Sequence, residues 1–532
     1  MNQLLLFIGI VIIACLALKP VGKRLPFPTI LIFIALGMLL GVNGPLRIDF
    51  SDYALTENVC CTALLFIMFY GGFNTNIDRA KPVAVPAVLL STVGVLITAG
   101  LTGAFAHLAL GLDWTLALLL GSTVASTDAA SVFSVLREHR LALRDGTDSL
   151  LEIESGSNDP LSYMLTVVFA TLAAGGSINV PALVAQQLLI GAGAGLIIGT
   201  LARKLLERGP SQDTGTVTIL LFGVSIVTYA LPSYLGGNGF LAVYLAGIVL
   251  GHGDIPAKCE SAQFFDTVTE LAEMTIFFLL GLLVTPARLP EMILPALALL
   301  AFMLIVGRPV AAALLLAPFK TSLRKITLVN WAGMRGAASV VFCLYAVVAG
   351  VPGAHDLFDL VFVLAVASII LQGSLLPAVA RKLDMIDTTG DVRRTFNDYR
   401  NEDGFSFIKL KIAAEHPFVN KSLTQVGAAT NMLVALVLHK GKQPVIPNGD
   451  TVIREGDLLV MAAPTFEERA GVSLREFTVG PHGRWAGKQL RDIPQGKRPF
   501  IVVLVKRGDE TIIPDGDTLI EPGDTVVVAT LG

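Results

Sequence analysis

Long apolar runs separated by short polar loops make up the chain as far as about Asp384. A helix needs roughly 17 to 25 apolar residues to cross a bilayer. Marked off by that length, the runs give about thirteen windows: 3–19, 28–44, 58–76, 83–108, 113–136, 149–174, 181–205, 216–234, 238–253, 264–285, 291–318, 324–350 and 356–381. Beyond Asp384 charged residues return, and Val/Leu/Ile runs alternate with Gly-Asp turns. That pattern predicts short strands. The expected fold is an α-helical polytopic membrane protein followed by small α+β domains.

Two windows are interrupted. Window 113–136 contains Ser122-Thr123-Val124-Ala125-Ser126-Thr127-Asp128, and window 324–350 contains Gly333-Met334-Arg335-Gly336. They are the fifth and twelfth in order. An inverted repeat of spans 1–6 and 8–13 would place them so. Paired discontinuous helices of this kind mark a midplane binding site in transporters. Small polar residues also serve close helix packing, but Asp128 is costly for packing alone.

Composition agrees: 53% of residues are hydrophobic and 15% charged, which excludes an ordinary soluble enzyme. Membrane lipid is therefore the expected solvent, and a net charge of −3 gives no reason to expect nucleic acid. The five cysteines (Cys15, Cys60, Cys61, Cys259 and Cys343) form no CxxC motif and read as small apolar fillers. No cofactor is expected. Alternate loops carry Lys19, Lys23 and Arg24; Arg79 and Lys81; Arg137, Arg140 and Arg144; Arg203, Lys204 and Arg208; Lys258; Lys320, Arg324 and Lys325; Arg381 and Lys382. The intervening loops hold Arg47 and Arg288. The positive-inside rule then puts the N-terminus outside and the polar tail in the cytoplasm. Residues 3–19 read as a first span that is retained, not a cleaved leader.

The sixth window carries the candidate chemistry. Glu154, Ser155, Asn158 and Asp159 share one helix face. Pro160 has no N–H, so the Gly156 carbonyl loses its helical partner. Carboxylate, hydroxyl and carbonyl oxygens suit a hard cation such as Na+ or K+. Two arginines, Arg308 and Arg335, also lie at membrane depth. One acid paired with arginine would be structural. The acid left over would exchange a proton for a cation. Asp159 is the expected working acid; the converse, with Asp159 paired and Glu154 titrating, is the alternative.

At these residues the sequence resembles the cation/proton antiporter superfamily, in its NhaP-type branch. The matching strings are GSTVASTDAASVF (121–133), LEIESGSNDP (151–160), GNGFLAVYLAGIVLG (237–251), FFLLGLLV (277–284) and GMRGAAS (333–339). The resemblance implies a thirteen-helix homodimer in which a core bundle with crossed helices moves against a dimerisation bundle. It implies ion ligands at Asp159, Ser155, Thr127 and Asp128, the last two partly through backbone, beside Asn158. It implies a structural salt bridge of Glu154 with Arg308, and places Arg335 in the second crossed helix. The Asn-Asp pair at 158–159 implies electroneutral exchange. Where many relatives carry an acid before the Gly-Gly of the third span, this chain has Tyr70. That predicts a less acidic outer ion path and leaves the cation in question.

In the tail, residues 421–463 align without gaps on 488–530. Each copy is similar to the C-terminal lobe of the RCK (TrkA-C) regulatory domain of potassium channels and transporters. The Gly-rich dinucleotide fingerprint is absent, so NAD is not implied. A nucleotide or other small ligand, or plain dimerisation, would fit this tail. The expected domains are 1–385 (transmembrane), 386–404 (linker), 405–466 and 467–532. The resulting expectation is a bacterial inner-membrane K+/H+ antiporter, with Na+/H+ as the alternative. A gated channel would need a continuous pore and filter. A membrane sensor would need neither Asp159 nor Asp128.

Overall fold

A computed structural model describes residues 2–22, 28–41, 47–75, 81–139, 141–208, 213–253, 255–387, 405–412, 416, 418–427, 433–439, 445, 447–464, 472–481, 483, 485–493, 500–507, 510–512, 514 and 516–531. The chain divides into two compact units, 1–393 and 394–532.

The first unit is helical: α1 Asn2–Gly22, α2 Ile30–Leu40, α3 Tyr53–Asn74, α4 Lys81–Leu110, α5 Trp114–Thr123, α6 Ala129–Glu138, α7 Thr147–Ala173 and α8 Val180–Arg208. It continues with α9 Thr214–Tyr234, α10 Gly239–Gly251, α11 Lys258–Leu283, α12 Leu289–Phe319, α13 Leu323–Trp331, α14 Ala337–Val348 and α15 Ala354–Lys382. Each window marked off from the sequence coincides with one helix or with an interrupted pair. Among the described residues six helices (α3, α4, α8, α9, α12 and α15) are long and apolar enough to cross a membrane on their own account. The others are shorter, interrupted or more polar.

The interruptions have local causes. Ser122 Oγ donates to the Leu118 carbonyl at 2.7 Å, and Thr123 Oγ1 donates to the Leu120 carbonyl at 2.9 Å. Such back-bonding competes with the helical ladder, and α5 stops there. In the second break Gly333 and Gly336 flank the turn, and glycine is a poor helix former. Three further helices carry a widened, π-type turn: α4 at Leu90–Gly94, α12 at Met303–Gly307 and α15 at Ile369–Gly373. Irregularities therefore pair at a distance of seven spans: the fourth with the eleventh, the fifth with the twelfth, and the sixth, with Pro160, with the thirteenth.

Two groups of helices pack mainly within themselves: α1–α3 with α8–α11, and α4–α7 with α12–α15. Small residues let backbones meet. A Cβ at Gly191, Gly195 or Gly199 of α8 would strike Asn238, Ala242 or Ala246 of the α10 region. Past α15 the chain stays with this unit. Leu143 and Ile386 form an antiparallel bridge, Arg144 N donates to the Met385 carbonyl at 2.9 Å, and Asp387 N donates to the Ala142 carbonyl at 2.9 Å. The expected linker thus begins too early: Ile386 and Asp387 belong to the first unit. Residues 388–404 lie outside the described ones.

In the second unit β1 Phe405–Lys411, β2 Leu433–Leu438 and β3 Leu458–Pro464 form an antiparallel sheet ordered β1-β3-β2. A second sheet contains β4 Val472–Thr478, β6 Phe500–Arg507, β7 Glu510–Ile512 and β9 Thr525–Leu531, ordered β4-β9-β6-β7. The short β5 Lys488–Gln489 pairs with β8 Leu519–Ile520. β1, β2 and β3 begin 67 residues before β4, β6 and β9 (472 − 405, 500 − 433, 525 − 458). The repeat read from residue 421 onward therefore extends back to Phe405. In the second copy Arg507 forks onto Asp524 with two 2.9 Å bonds and holds that carboxyl below the usual carboxylate range. In the first copy Asp457 is met instead by His439, at 2.8 Å.

Candidate functional site

The two breaks lie against each other and against the middle of α7. Asp128 N donates to the Met334 carbonyl at 2.9 Å, joining break to break. Arg335 Nη1 donates to the carbonyls of Ala125 at 2.9 Å and Ser126 at 2.6 Å. A guanidinium thus meets the free carbonyl end of α5, where a cation is favourable. Arg335 is 2% exposed. Its own backbone N–H donates to Ser368 Oγ at 2.8 Å, and Ser368 Oγ donates to Gln372 Oε1 at 2.5 Å.

Asp128 takes the opposite end. Its carboxylate accepts from Ser131 N at 3.0 Å and Ser131 Oγ at 2.6 Å, capping α6. A Cβ on Gly336, at the start of α14, would run into the same carboxylate. Two half-helix N-termini therefore face Asp128, and both favour a negative charge.

From α7, Ser155 Oγ donates to the Thr127 carbonyl at 2.6 Å. Asn158 Nδ2 donates to Thr127 Oγ1 at 2.5 Å, and Thr127 N donates to Asn158 Oδ1 at 3.4 Å. Asn158 is thus a clamp on the extended segment, holding both faces of Thr127. Asp159 accepts a hydrogen bond from Ser126 Oγ. Asn238, at the start of α10, donates to the Pro160 carbonyl at 2.7 Å. One turn earlier, Arg308 Nη1 lies 2.5 Å from Glu154 Oε1, with side-chain exposures of 4% and 1%. That contact is an ion pair without hydrogen-bond alignment: among the described residues both Glu154 oxygens, and Arg308 Nε and Nη2, have no hydrogen-bond partner. The guanidinium packs on Gly333, where a Cβ would come within 2.7 Å of Nε. Arg308 thus reaches the second break as well.

A cavity of about 300 Å3 ends at Thr127, Asp128, Ser155 and Asp159. Glu152, Asp266 and Glu273 line it, as does Tyr70. Beside Tyr70 of α3, the carboxylates of this path come from α7 and α11. Along α3, α7 and α11 the cavity runs toward the helix ends that carry the lysine- and arginine-bearing loops.

All eight residues singled out from the sequence meet here. Ser126, Ser131, Asn238, Ser368 and Gln372 were not singled out. Ser131, three residues after Asp128, is a capping spacing that could have been read. Ser368 and Gln372 lie in an apolar window and give no signal. Three carboxylates (Asp128, Glu154 and Asp159) stand with two guanidiniums (Arg308 and Arg335). One negative charge is left over.

Residues 10–382 match the family model of the transmembrane sodium/hydrogen exchanger, and residues 407–465 and 474–531 each match the TrkA-C domain. The chain is 32% identical to the K(+)/H(+) antiporter NhaP of Alkalimonas amylolytica, over 79% of this chain and 74% of that protein. It is 33% identical to the K(+)/H(+) antiporter NhaP2 of Shewanella sp. (strain ANA-3), over 83% of this chain and 78% of that protein. Its fold is similar to that of the sodium proton antiporter MjNhaP1 from Methanocaldococcus jannaschii, with a TM-score of 0.63 and 24% identity, covering 72% of this chain and 99% of that one.

Proposed function

Since this chain belongs to the sodium/hydrogen exchanger family, we propose that it exchanges one monovalent cation for one proton across a bacterial inner membrane, on Asp159. The observation that carries this is the leftover charge. Glu154 is paired with Arg308. Asp128 is held by Ser131, and Arg335 by two carbonyls. Asp159 faces the cavity with the Ser126 hydroxyl as its hydrogen-bond partner among the described residues. A single carboxylate holds one proton or one monovalent cation, and either restores neutrality. Ser155, Thr127 and the carbonyls of the break are the oxygens nearest to hand for a hard cation. K+ is favoured over Na+, because the two curated relatives named above are described as K(+)/H(+) antiporters.

Access alternates, in this reading, by movement of the α4–α7 and α12–α15 group, which holds both breaks and Asp159, against the α1–α3 and α8–α11 group. The second group would also form the homodimer. The cavity faces the cytoplasm by the positive-inside rule. The tail biases the transport equilibrium. Support comes from Asp384–Asp387, which pairs with the loop between α6 and α7, the two helices that bracket the site.

The test is proton flux in proteoliposomes driven by K+ or Na+, with a membrane potential of either sign imposed. Flux driven by either cation at a rate indifferent to potential is expected, with K+ the better substrate. Rates that follow the potential would reject the one-charge site, and absence of cation-driven flux would reject exchange.

A further inference from the structure

The cavity that leads to Asp159 is lined along α11 by Asp266, Thr269, Glu273 and Phe277. Spacings of three, four and four put these residues on one face of the helix. At 1.5 Å per residue the row is about 16 Å long, with room for an ion to stop short of Asp159. From the loop end inward it reads carboxylate, hydroxyl, carboxylate, ring.

Thr269 is the member of this row that helix geometry leaves unexplained. It is 8% exposed, and among the described residues its hydroxyl oxygen has no hydrogen-bond partner. A threonine in a helix has a ready acceptor in the carbonyl four residues back. Thr267 and Thr275 of the same helix use it, donating to Gln263 at 3.0 Å and to Leu271 at 2.8 Å. Thr269 does not. A buried hydroxyl without a partner is costly, and this one belongs to the wall of a space of about 300 Å3. A volume of that size holds a cation with part of its water shell. Water alone would satisfy the hydroxyl, but it gives no reason for a carboxylate one turn to either side. Residues three and four apart are neighbours on a helix surface, so Asp266 and Glu273 flank Thr269. Carboxylate and hydroxyl oxygens together suit a hard monovalent ion.

We propose that Thr269 and Glu273 of α11, with Asp266 toward the mouth, form a second monovalent-cation station in the cavity, where the ion rests before it reaches Asp159. This rests on the exchange reading above. Helix α11 packs in the α1–α3 and α8–α11 group, whereas Asp159 belongs to the group that moves against it. The station therefore stays behind when Asp159 departs. In the cavity-open state it concentrates the cation beside Asp159. In the other state it has lost Asp159, so an ion carried across does not return to it.

Two measurements test the station. The first reads binding without transport. In Asp159→Asn, which removes the exchanging carboxylate, K+ is expected still to raise the melting temperature in detergent, against choline at equal ionic strength. Adding Thr269→Val, which nearly keeps the shape and removes the hydroxyl, is expected to abolish that rise; adding Thr269→Ser should keep it. No rise in Asp159→Asn, or a rise indifferent to Thr269→Val, overturns the station. The second reads the path, by K+-driven proton flux in right-side-out and in everted vesicles. Thr269→Val or Glu273→Gln in the otherwise unaltered chain is expected to raise the half-saturating K+ concentration several-fold at the cavity face, and by less at the far face. Equal shifts at both faces would make these residues mere supports of the fold, and the station falls. Absence of cation-driven flux from the wild type, with the K+-dependent melting intact, would reject the exchange reading and leave the station standing.

Discussion

At the scale of the residue, the site is a small charge balance in a place where charge is costly. Asp159 is the carboxylate left over once Glu154 meets Arg308, and Asp128 and Arg335 meet the ends of half-helices. Asp159→Asn is expected to abolish cation-driven proton flux and to leave the purified protein as stable as wild type, since an amide can neither release a proton nor balance a cation. Near-normal flux from this variant would remove Asp159 from the mechanism. Glu154 predicts the reverse pattern. Its pair with Arg308 is buried, and breaking it leaves one charge without a partner, at a cost of about 3 to 5 kcal/mol. Glu154→Gln or Arg308→Ala should therefore lower thermal stability in detergent. Wild-type stability with lost transport would make Glu154 the exchanging acid instead. This pairing was one of two left open by the residues themselves, because Arg308 and Glu154 are 154 positions apart (308 − 154) and spacing cannot join them.

At the scale of the element, the breaks do more than interrupt helices. Each frees backbone groups, and the other break or a charged side chain satisfies them. Their position was legible, because Ser-Thr runs and glycines disfavour helix by local chemistry. What held them was not legible: Ser368 and Gln372 look like ordinary members of an apolar span. The same holds for helix contacts. Gly191, Gly195 and Gly199 recur every four residues, which marks a close-packing face, but the sequence does not say against what. The partner is the Asn238–Ala246 region. Asn238 also reaches Pro160 beside the site, so this contact bears on the site's support. Gly195→Val is expected to push α8 off α10 and lower stability by about 1 to 3 kcal/mol, the usual cost of overpacking. A thermal melt in detergent checks this, and an unchanged melting temperature would mean that the two helices can separate freely.

At the scale of the whole molecule, the tail contributes no side chain to the proposed ion ligands, all of which lie in the first unit. It can act on them only through the equilibrium between transport states. Met385 is buried with Leu143 and Leu150, and Ile386 packs beside them. This predicts a difference between two truncations. Removing 388–532 keeps the pairing and should leave thermal stability close to wild type. Removing 384–532 also takes Met385 and Ile386 from that core and should cost about 2 to 5 kcal/mol, as a large buried side chain does. The pH–activity curve of the 1–387 protein should be displaced from that of the full chain. Superimposable curves would make the tail a passive module.

The sequence by itself determined the helical windows, the two interruptions, the acids and arginines at membrane depth, and the repeat in the tail. These follow from hydrophobic length, local backbone chemistry and self-similarity, which act over a few residues or recur at a fixed interval. Tertiary structure alone decided which acid Arg308 pairs with, that Asn158 grips Thr127 while Asp159 stays turned to the cavity, and that Glu152, Asp266 and Glu273 line the same cavity as Tyr70. It also decided that the tail repeat begins at Phe405, since β1 gains its place only by pairing with β3, some fifty residues later. Each of these is a contact between segments distant in the chain. One-dimensional pattern records that a residue is polar or apolar; which polar groups end up facing one another is set by how the helices pack.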